Sequence, residues 1–303
     1  MIGKMQNENN INNIIYGTAK LGDLNYGFSS DNNINSESRE QLVREIIDKG
    51  IKRFDTSPRY GDAEIILGKV IKESSKKIKV DSKIIDLKSN DSNSNKSIFT
   101  QVENSLKKLN ISSLNVLYLH QNELEILKDK NIQNSLKTIL KKGLAKKIGS
   151  SVYSHAELEY SLQNDLFTTI QAPINILNKS FYNKFSLSKT NNEKELIARS
   201  IFLQGTLLNV DDSLLKKVNI KLFNSIQELK KICDRYNTTI LNEAKRTVYD
   251  LKNISVIQSS LSIKNIDSNL HFYSNPNENS FEKEIQYLRD SNYTFTNPRN
   301  WNF

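Results

Sequence analysis

The stretch GIKRFDTSPRYGDAEIILG, residues 50–68, decides how the rest of this chain is interpreted. Arg53–Asp55 is predicted as a short strand, after which the chain turns and enters a helix that begins at about Tyr60. Pro58 cannot donate a hydrogen bond to a neighbouring strand, so the strand must end before it. Asp55 therefore lies at the carboxyl end of a strand, and Tyr60 lies at the mouth of the next helix. In α/β proteins this edge is where ligands bind and reactions occur.

Strand and helix patterns alternate along the whole chain. Predicted strands cover residues 12–22 (ending in a glycine turn), 53–55, 79–85, 114–120, 145–153, 167–175, 195–203 and 254–259. Predicted helices cover residues 38–49, 60 onward, 98–109, 132–142, 155–162, 177–185, 220–236, 240–249 and 263–272. Eight strands that alternate with helices predict an α/β protein, a single (β/α)8 TIM barrel.

The chain length agrees with one barrel domain spanning residues 1–303, because such barrels need about 250 residues. The second helix between strands seven and eight is an insertion that a barrel tolerates. The tail from about 275 to 303 is predicted to be irregular, apart from a helical patch at 281–288. A doubly wound parallel sheet is the alternative, but neither its Gly-x-Gly-x-x-Gly turn nor a phosphate-binding P-loop is present.

The composition argues against a membrane protein. Hydrophobic residues make up 37% of the chain, and the mean hydropathy is −0.55. No apolar run approaches the roughly 20 residues of a membrane span, and the first residues lack the apolar core of a signal peptide. The single cysteine, Cys233, excludes an intrachain disulfide and a multi-cysteine metal site. We therefore expect a cytoplasmic protein that contacts no membrane.

The net charge of +9 raises the question of an anionic partner such as a nucleic acid. The lysines are scattered in pairs on predicted helix faces rather than concentrated in one segment. Solvated helix faces are therefore favoured over a nucleic-acid-binding surface.

Three consecutive predicted strands carry an ionisable residue at or near the carboxyl end: Asp55, Lys83 and His120. Tyr60 follows the first of them. In a barrel these strand ends are neighbours around one rim, so the four side chains converge. Each residue alone is typical of structural packing or a solvated surface, whereas four together indicate a catalytic site.

The chemistry these four groups favour is proton donation to a carbonyl. A tyrosine pKa is ordinarily near 10, and lowering it by about 3 requires roughly 4 kcal/mol. One ammonium group about 4 Å away supplies about that much at an effective dielectric of about 20. We therefore expect Lys83 to lower the pKa of Tyr60 and Asp55 to hold the lysine charged. Neutral His120 would position the carbonyl oxygen.

The same residues resemble the aldo-keto reductases, which carry Asp, Tyr, Lys and His in this order at the ends of barrel strands. Asp55, Tyr60, Lys83 and His120 match them one by one. Similar surroundings are Phe54-Asp55-Thr56, Tyr60-Gly61 with Glu64, Ser82-Lys83, Tyr118-Leu119-His120 and Ile148-Gly149-Ser150-Ser151. The resemblance implies reduction of an aldehyde or ketone, or the reverse oxidation. It implies NADP(H) as the cofactor, with NAD(H) not excluded, bound across the rim without a Rossmann fold.

The resemblance also implies a set of cofactor-binding residues. These are Gly17, Thr18, Asp55, Ser151, Gln171, Arg199, Ser200, Gln204, Gly205, Ser259, Ser260, Lys264 and Asn269. Ser151 and Gln171 would hold the nicotinamide carboxamide. The sequence departs from the family where Val152 replaces a frequent Asn and Arg199 replaces a ring that stacks on the nicotinamide. After strand eight, only Lys264 offers a charge for the 2′-phosphate of NADP.

Two further segments, Arg199–Gly205 and Asn297–Trp301, resemble a subgroup associated with bacterial sugar and surface-polysaccharide clusters. A sugar or sugar-derived carbonyl is therefore a candidate substrate, and the polar loops 89–96 and 180–195 are expected to line its pocket. The alternative hypothesis is a nucleotide-binding barrel that regulates or scaffolds and turns over little, as some members of the family do.

Overall fold

The computed structural model describes residues 13–23, 26–28, 36–91, 93–120, 123–190, 193–208, 210–249, 251–274 and 282–302. Within these ranges, eight parallel strands pair in chain order and close into a barrel. The strands are β1 (Ile14–Gly17), β2 (Arg53–Asp55), β3 (Lys79–Ile84), β4 (Leu114–Leu119), β5 (Ala145–Ser151), β6 (Phe167–Pro173), β7 (Glu195–Arg199) and β8 (Ile254–Gln258). The predicted (β/α)8 barrel is confirmed.

Helices surround the barrel. They span Ala19–Gly22, Ser36–Asp48, Ala63–Glu73, Ser94–Leu109, Leu124–Lys128, Lys130–Lys141, His155–Gln163, Ser180–Ser186, Asp212–Val218, Ile220–Arg235, Ile240–Tyr249, Ile263–Ser274 and Glu282–Ile285. Single turns of 3₁₀ helix lie at Leu203–Gly205, Gln286–Leu288 and Pro298–Asn300. No described helix combines the length and the apolar character that crossing a membrane requires.

The segment predicted as strand seven, 195–203, is only partly a strand. β7 ends at Arg199, and the chain turns through Ser200, Leu203 and Gln204, which all have positive φ angles. Beyond this turn, Leu203 is buried in the cluster formed by the later helices and Trp301, outside the sheet. Hydrophobicity alone therefore extended the predicted strand too far.

Three short helices were not predicted. Ala19–Gly22 occupies the expected glycine turn after β1, and Leu124–Lys128 and Asp212–Val218 lie in segments left without structure. The helix Asp212–Val218 is capped at its N-terminus by Asp211, whose side chain accepts hydrogen bonds from two backbone amides. The helix predicted from Tyr60 begins instead at Ala63, because the chain first makes a turn.

The parallel register brings the carboxyl ends of all strands to one rim. Gly17 pairs with Asp55, Lys83 with Tyr118, and Ser151 with Gln171. An apolar layer between strands and helices holds this arrangement, and a second layer lies beneath the last helices and the chain end, where Trp301 is buried. The segment 282–302 of the predicted tail is therefore packed against the barrel; residues 275–281 lie outside the described residues.

A charged network spans the opposite end of the barrel. The Nε atom of Arg53 donates to Asp81 over 2.8 Å, and its Nη1 donates to Glu195. Asn115 donates to the other Asp81 oxygen over 2.6 Å. Burial raises the pKa of Asp81 to about 6, although Arg53 opposes this shift. Arg53 is thus the main counter-charge for two carboxylates in the barrel interior.

We expect Arg53→Met to lower the free energy of unfolding by about 3–5 kcal/mol, because it leaves the buried Asp81 carboxylate without its cation. Urea unfolding followed by circular dichroism measures this change. Arg44→Met is the matched control, since Arg44 pairs with exposed Glu73 and such pairs contribute about 0–1 kcal/mol. Equal effects of the two substitutions would contradict the assignment.

Candidate active site

A cavity of about 570 Å³ opens at the rim formed by the carboxyl ends of the strands. The predicted site residues that line it are Gly17, Asp55, Tyr60, Lys83, His120, Ser151, Gln171, Arg199, Ser200, Gln204, Gly205 and Ser259. Thr18, Ser260, Lys264 and Asn269 do not line it. Thr18 is buried and donates to the Asp55 carbonyl, whereas Lys264 is exposed on the helix that follows β8.

The four predicted catalytic side chains meet in this cavity. Lys83 Nζ donates to Asp55 Oδ2 over 2.6 Å and to the Thr56 carbonyl over 2.8 Å, and both charged side chains are buried. Gln171 donates to the second Asp55 oxygen over 2.6 Å. Asp55 therefore has a partner on each oxygen, and it holds Lys83 beside Tyr60.

Tyr60 is positioned by a backbone contact between two glycines. A Cβ atom on Gly22 would lie 1.7 Å from the Tyr60 carbonyl oxygen, and one on Gly61 would lie 2.3 Å from the Gly22 carbonyl oxygen. Gly61 also has a φ of +49°, a left-handed conformation that suits glycine. Only residues without a side chain allow this approach, which sets where the Tyr60 ring enters the cavity.

The Lys83 ammonium lies 4.9 Å from the centre of the Tyr60 ring. The Tyr60 hydroxyl has no hydrogen-bond partner among the described residues, so it faces the cavity available to a ligand. Both groups lie in one cavity, as the predicted proton donation requires.

The direction of the Tyr60 pKa differs from the prediction. Burial raises it well above the usual value, and the Asp55 carboxylate raises it further. Lys83 does not reverse this, because its charge is offset by the ion pair with Asp55 and it lies over the ring face. In the protein alone, Tyr60 is therefore a neutral phenol, the form that donates a proton.

His120 follows β4 and faces Tyr60. The two ring centres are 6.1 Å apart with planes at 85°, and Ser57 Oγ lies 3.2 Å from His120 Nδ1. Burial lowers the pKa of His120 to about 2, and the surrounding cations Lys83, Arg199, Arg59 and Arg299 lower it further. The imidazole is neutral, in agreement with the predicted role.

Glu64, which lies within the stretch 50–68, does not line the cavity but supports one of its strands. It is buried, and it accepts a hydrogen bond of 2.8 Å from Ser82 Oγ. Ser82 directly precedes Lys83 on β3, so this bond ties the helix Ala63–Glu73 to the strand that carries the ammonium group.

Comparisons with known proteins agree with this geometry. The sequence profile of the Aldo/keto reductase family matches residues 13–289. The chain belongs to this family. Aldo-keto reductase YhdN of Bacillus subtilis (strain 168) is 25% identical over 258 residues, which cover 77% of this chain and 76% of that protein. Membership places the protein among oxidoreductases that reduce carbonyl compounds.

Solved structures with this fold include the holo form of aldo-keto reductase AKR11C1 from Bacillus halodurans. Its TM-score is 0.73 at 15% identity, and the match covers 92% of each chain. The glycerol dehydrogenase AKR11B4 from Gluconobacter oxydans has a TM-score of 0.68 at 17% identity, covering 91% of this chain and 90% of that one. At such identities the likeness shows the barrel fold shared by aldo-keto reductases.

In this aldo-keto reductase, Arg199 packs on a tyrosine at the rim. Its guanidinium carbon lies 3.8 Å from the centre of the Tyr153 ring, and its Nη2 donates to the Val152 carbonyl over 2.9 Å. The arginine therefore joins the ends of β5 and β7. It lies in the cavity where the resemblance predicted contact with the nicotinamide ring.

Several cavity residues were missed by the sequence analysis: Tyr26, Arg59, Tyr153, Phe202, Leu208, Pro298 and Arg299. The expected substrate loops were misplaced, since no described residue of 89–96 or 180–195 lines the cavity. The polarity of these loops did not indicate a binding role, because exposed loops are polar whether or not they bind a ligand. Asn297–Trp301 was noticed only as a resemblance, and the structure brings Pro298 and Arg299 to the rim.

We expect kcat/KM for carbonyl reduction to show no histidine-dependent change between about pH 5 and 8. His120 is neutral throughout this range because its pKa is lowered to about 2. Steady-state rates across the range, for the wild type and His120→Gln, measure this. A fall in wild-type activity on acidification through 6.5 that disappears in the variant would show that His120 titrates normally.

Proposed function

We propose that this protein reduces an aldehyde or ketone to an alcohol with a nicotinamide nucleotide, and that Tyr60 is the general acid. The observation that carries the proposal is the convergence of four groups in one cavity: the Tyr60 hydroxyl, which has no hydrogen-bond partner in the described part of the chain, neutral His120, and the buried Lys83–Asp55 pair. Any one of them is common in proteins, but together they form a proton donor with a positioned neighbouring cation.

The proton step follows from the protonation states. A carbonyl oxygen placed between Tyr60 and His120 accepts hydrogen bonds from both, and the hydroxyl of Tyr60 supplies the proton as negative charge develops on that oxygen. An alkoxide is more basic than a phenolate, so a raised Tyr60 pKa does not prevent this transfer. The reverse oxidation needs a phenolate as base, which burial disfavours. The site therefore favours reduction.

The cavity residues fit a nicotinamide nucleotide. Backbone and hydroxyl or amide groups of Gly17, Ser151, Ser200, Gln204 and Ser259 surround the space beside the four catalytic groups. In the turn that follows β7, Ser200, Leu203 and Gln204 have strained positive φ angles, a feature that often marks ligand contacts. When bound, the nucleotide supplies the hydride. The Gln171 amide nitrogen is already committed to Asp55, so its oxygen remains for a carboxamide.

A sugar-derived carbonyl is the substrate class that we propose. Arg199–Gly205 and Asn297–Trp301, the two segments that resemble sugar-associated members, both border the cavity through Arg199, Gln204 and Arg299. The glycerol dehydrogenase of Gluconobacter oxydans shares the barrel fold, and its name indicates a polyol substrate for that protein.

The test is titration of NADPH and NADH by fluorescence quenching, followed by nicotinamide absorbance with a panel of aldehydes and sugars. We expect saturable binding and turnover. Binding without turnover of any carbonyl would support the regulatory or scaffold alternative. Binding of neither nucleotide would contradict both proposals. The preferred nucleotide follows from the ratio of the two dissociation constants.

A further inference from the structure

The cavity carries a surplus of positive charge. Its described lining contains the cations Lys20, Arg59, Lys83, Arg199 and Arg299, against the carboxylates Asp23 and Asp55. Lys83 and Asp55 neutralise each other in a buried pair. The net field in the cavity is therefore set largely by the arginines.

Arg299 is held at the rim by the chain end. Its backbone amide donates a hydrogen bond of 3.1 Å to Oδ1 of Asn297. Arg299 itself lies in a single helical turn that begins at Pro298. Trp301, two residues further on, is buried and donates from Nε1 to the Phe295 carbonyl over 2.7 Å. Because the chain is fixed on both sides of Arg299, the guanidinium is presented from a structured turn.

This turn is itself anchored to the barrel. Asp290 accepts hydrogen bonds from the Thr296 amide over 2.8 Å and the Thr296 hydroxyl over 2.9 Å. The Asp290 amide donates to the Leu177 carbonyl over 2.7 Å. A buried carboxylate with these partners fixes the path of the chain end and so determines where Arg299 emerges.

Tyr153 brings two of the arginines together. The Arg299 guanidinium carbon lies 4.5 Å from the centre of the Tyr153 ring, and that of Arg199 lies 3.8 Å from it. Among the described residues, no carboxylate forms an ion pair with Arg199. Stacking on the face of an aromatic ring is a common way to fix the plane of a guanidinium group.

Arg59 is the third arginine that lines the cavity. It directly precedes Tyr60 and pairs with exposed Asp86. Arg59, Arg199 and Arg299 all lower the pKa of His120, so their positive fields reach the imidazole next to the reacting position. Beyond stabilising the negative charge that develops on a carbonyl oxygen, guanidinium groups lining a cavity can pair directly with an anionic group of a ligand.

We propose that the carbonyl substrate carries an anionic group, a carboxylate or a phosphate, that is bound by Arg299 together with Arg199 and Arg59. This rests on the proposed function and specifies its substrate class. Planar guanidinium groups bind both anions through paired hydrogen bonds. The anion lies near the mouth, on the Tyr153 side, while the carbonyl points toward Tyr60 and His120.

The experiment compares each anionic aldehyde with a neutral counterpart, using the full chain and saturating nucleotide. The carboxylate arm uses 4-oxobutanoate and its methyl ester, and the phosphate arm uses glyceraldehyde 3-phosphate and glyceraldehyde. In at least one arm we expect kcat/KM to favour the anion by about 10- to 100-fold, the range of a charged hydrogen bond, mainly through KM. The arm that shows the preference identifies the anion.

Arg299→Gln is expected to remove most of this preference. Arg235→Gln is the matched control, because it changes the net charge equally but lies outside the cavity, in a surface pair with Glu284. The control should retain the full preference. Added salt should weaken the preference in the wild type, since it screens the attraction between the arginines and the substrate anion.

The proposal is overturned if neither arm favours the anion, or if Arg235→Gln lowers the preference as much as Arg299→Gln. It is also overturned if Arg299→Gln weakens nucleotide binding and leaves the preference intact, because the guanidinium would then serve the cofactor.

Failure of the proposed function is recognised separately, as absence of turnover with every aldehyde, charged or neutral. Anion binding is then tested separately by the fluorescence of Trp301, the single tryptophan of the chain. We expect a saturable change with succinate or inorganic phosphate, none with succinamide, and loss of the response in Arg299→Gln. No response of the wild type to either anion would overturn the site.

Discussion

Replacing Tyr60 with phenylalanine is expected to lower kcat by about 10²- to 10⁴-fold, the range of general acid catalysis, while nucleotide binding is retained. The hydroxyl is the group that faces the cavity without a partner among the described residues, and the ring is held by the Gly22–Gly61 contact and by its neighbours. Phenylalanine keeps the ring and loses the proton. Single-turnover absorbance changes and nucleotide quenching titrations measure the two effects separately.

Tyr26→Phe is the matched control. Tyr26 lines the same cavity, and its ring centre lies 6.4 Å from that of Tyr60, but the ring over which the Lys83 ammonium lies is that of Tyr60. It should change kcat much less than Tyr60→Phe. If both substitutions slowed turnover equally, or if Tyr60→Phe retained full activity, the proton donor would be another group.

Replacing Lys83 with methionine is expected both to abolish turnover and to lower the free energy of unfolding by about 3–5 kcal/mol. Lys83 and Asp55 are each buried, and removing the ammonium leaves the Asp55 carboxylate with Gln171 as its remaining side-chain partner among the described residues. The cation beside the Tyr60 ring is lost at the same time. Urea unfolding and steady-state kinetics measure the two consequences.

The double variant Lys83→Met with Asp55→Asn separates these consequences. Removing the second charge should restore much of the stability, since no buried carboxylate is left unpaired. Turnover should stay low, because the cation beside Tyr60 is still absent. Recovery of activity along with stability would mean that Lys83 has only a structural role.

Much of the barrel could be predicted from local patterns. Buried parallel strands such as Leu114–Leu119 are short apolar runs, and the helices between them show a regular apolar spacing. The predicted strand seven was too long because the apolar residues after Arg199 continue beyond the sheet into a turn. The short helix Asp212–Val218 was not predicted, because it has few residues over which a periodic pattern can be seen.

The amino-acid sequence by itself determined that Asp55, Lys83 and His120 follow one another at strand ends, and barrel closure then requires them to share a rim. Tertiary structure alone decided the electrostatics: the Tyr60 pKa is raised because burial and the Lys83–Asp55 pairing outweigh the ammonium charge. It also decided that Arg299 reaches Tyr153. Burial, pairing and contacts between distant segments depend on three-dimensional packing, which a local sequence pattern does not contain.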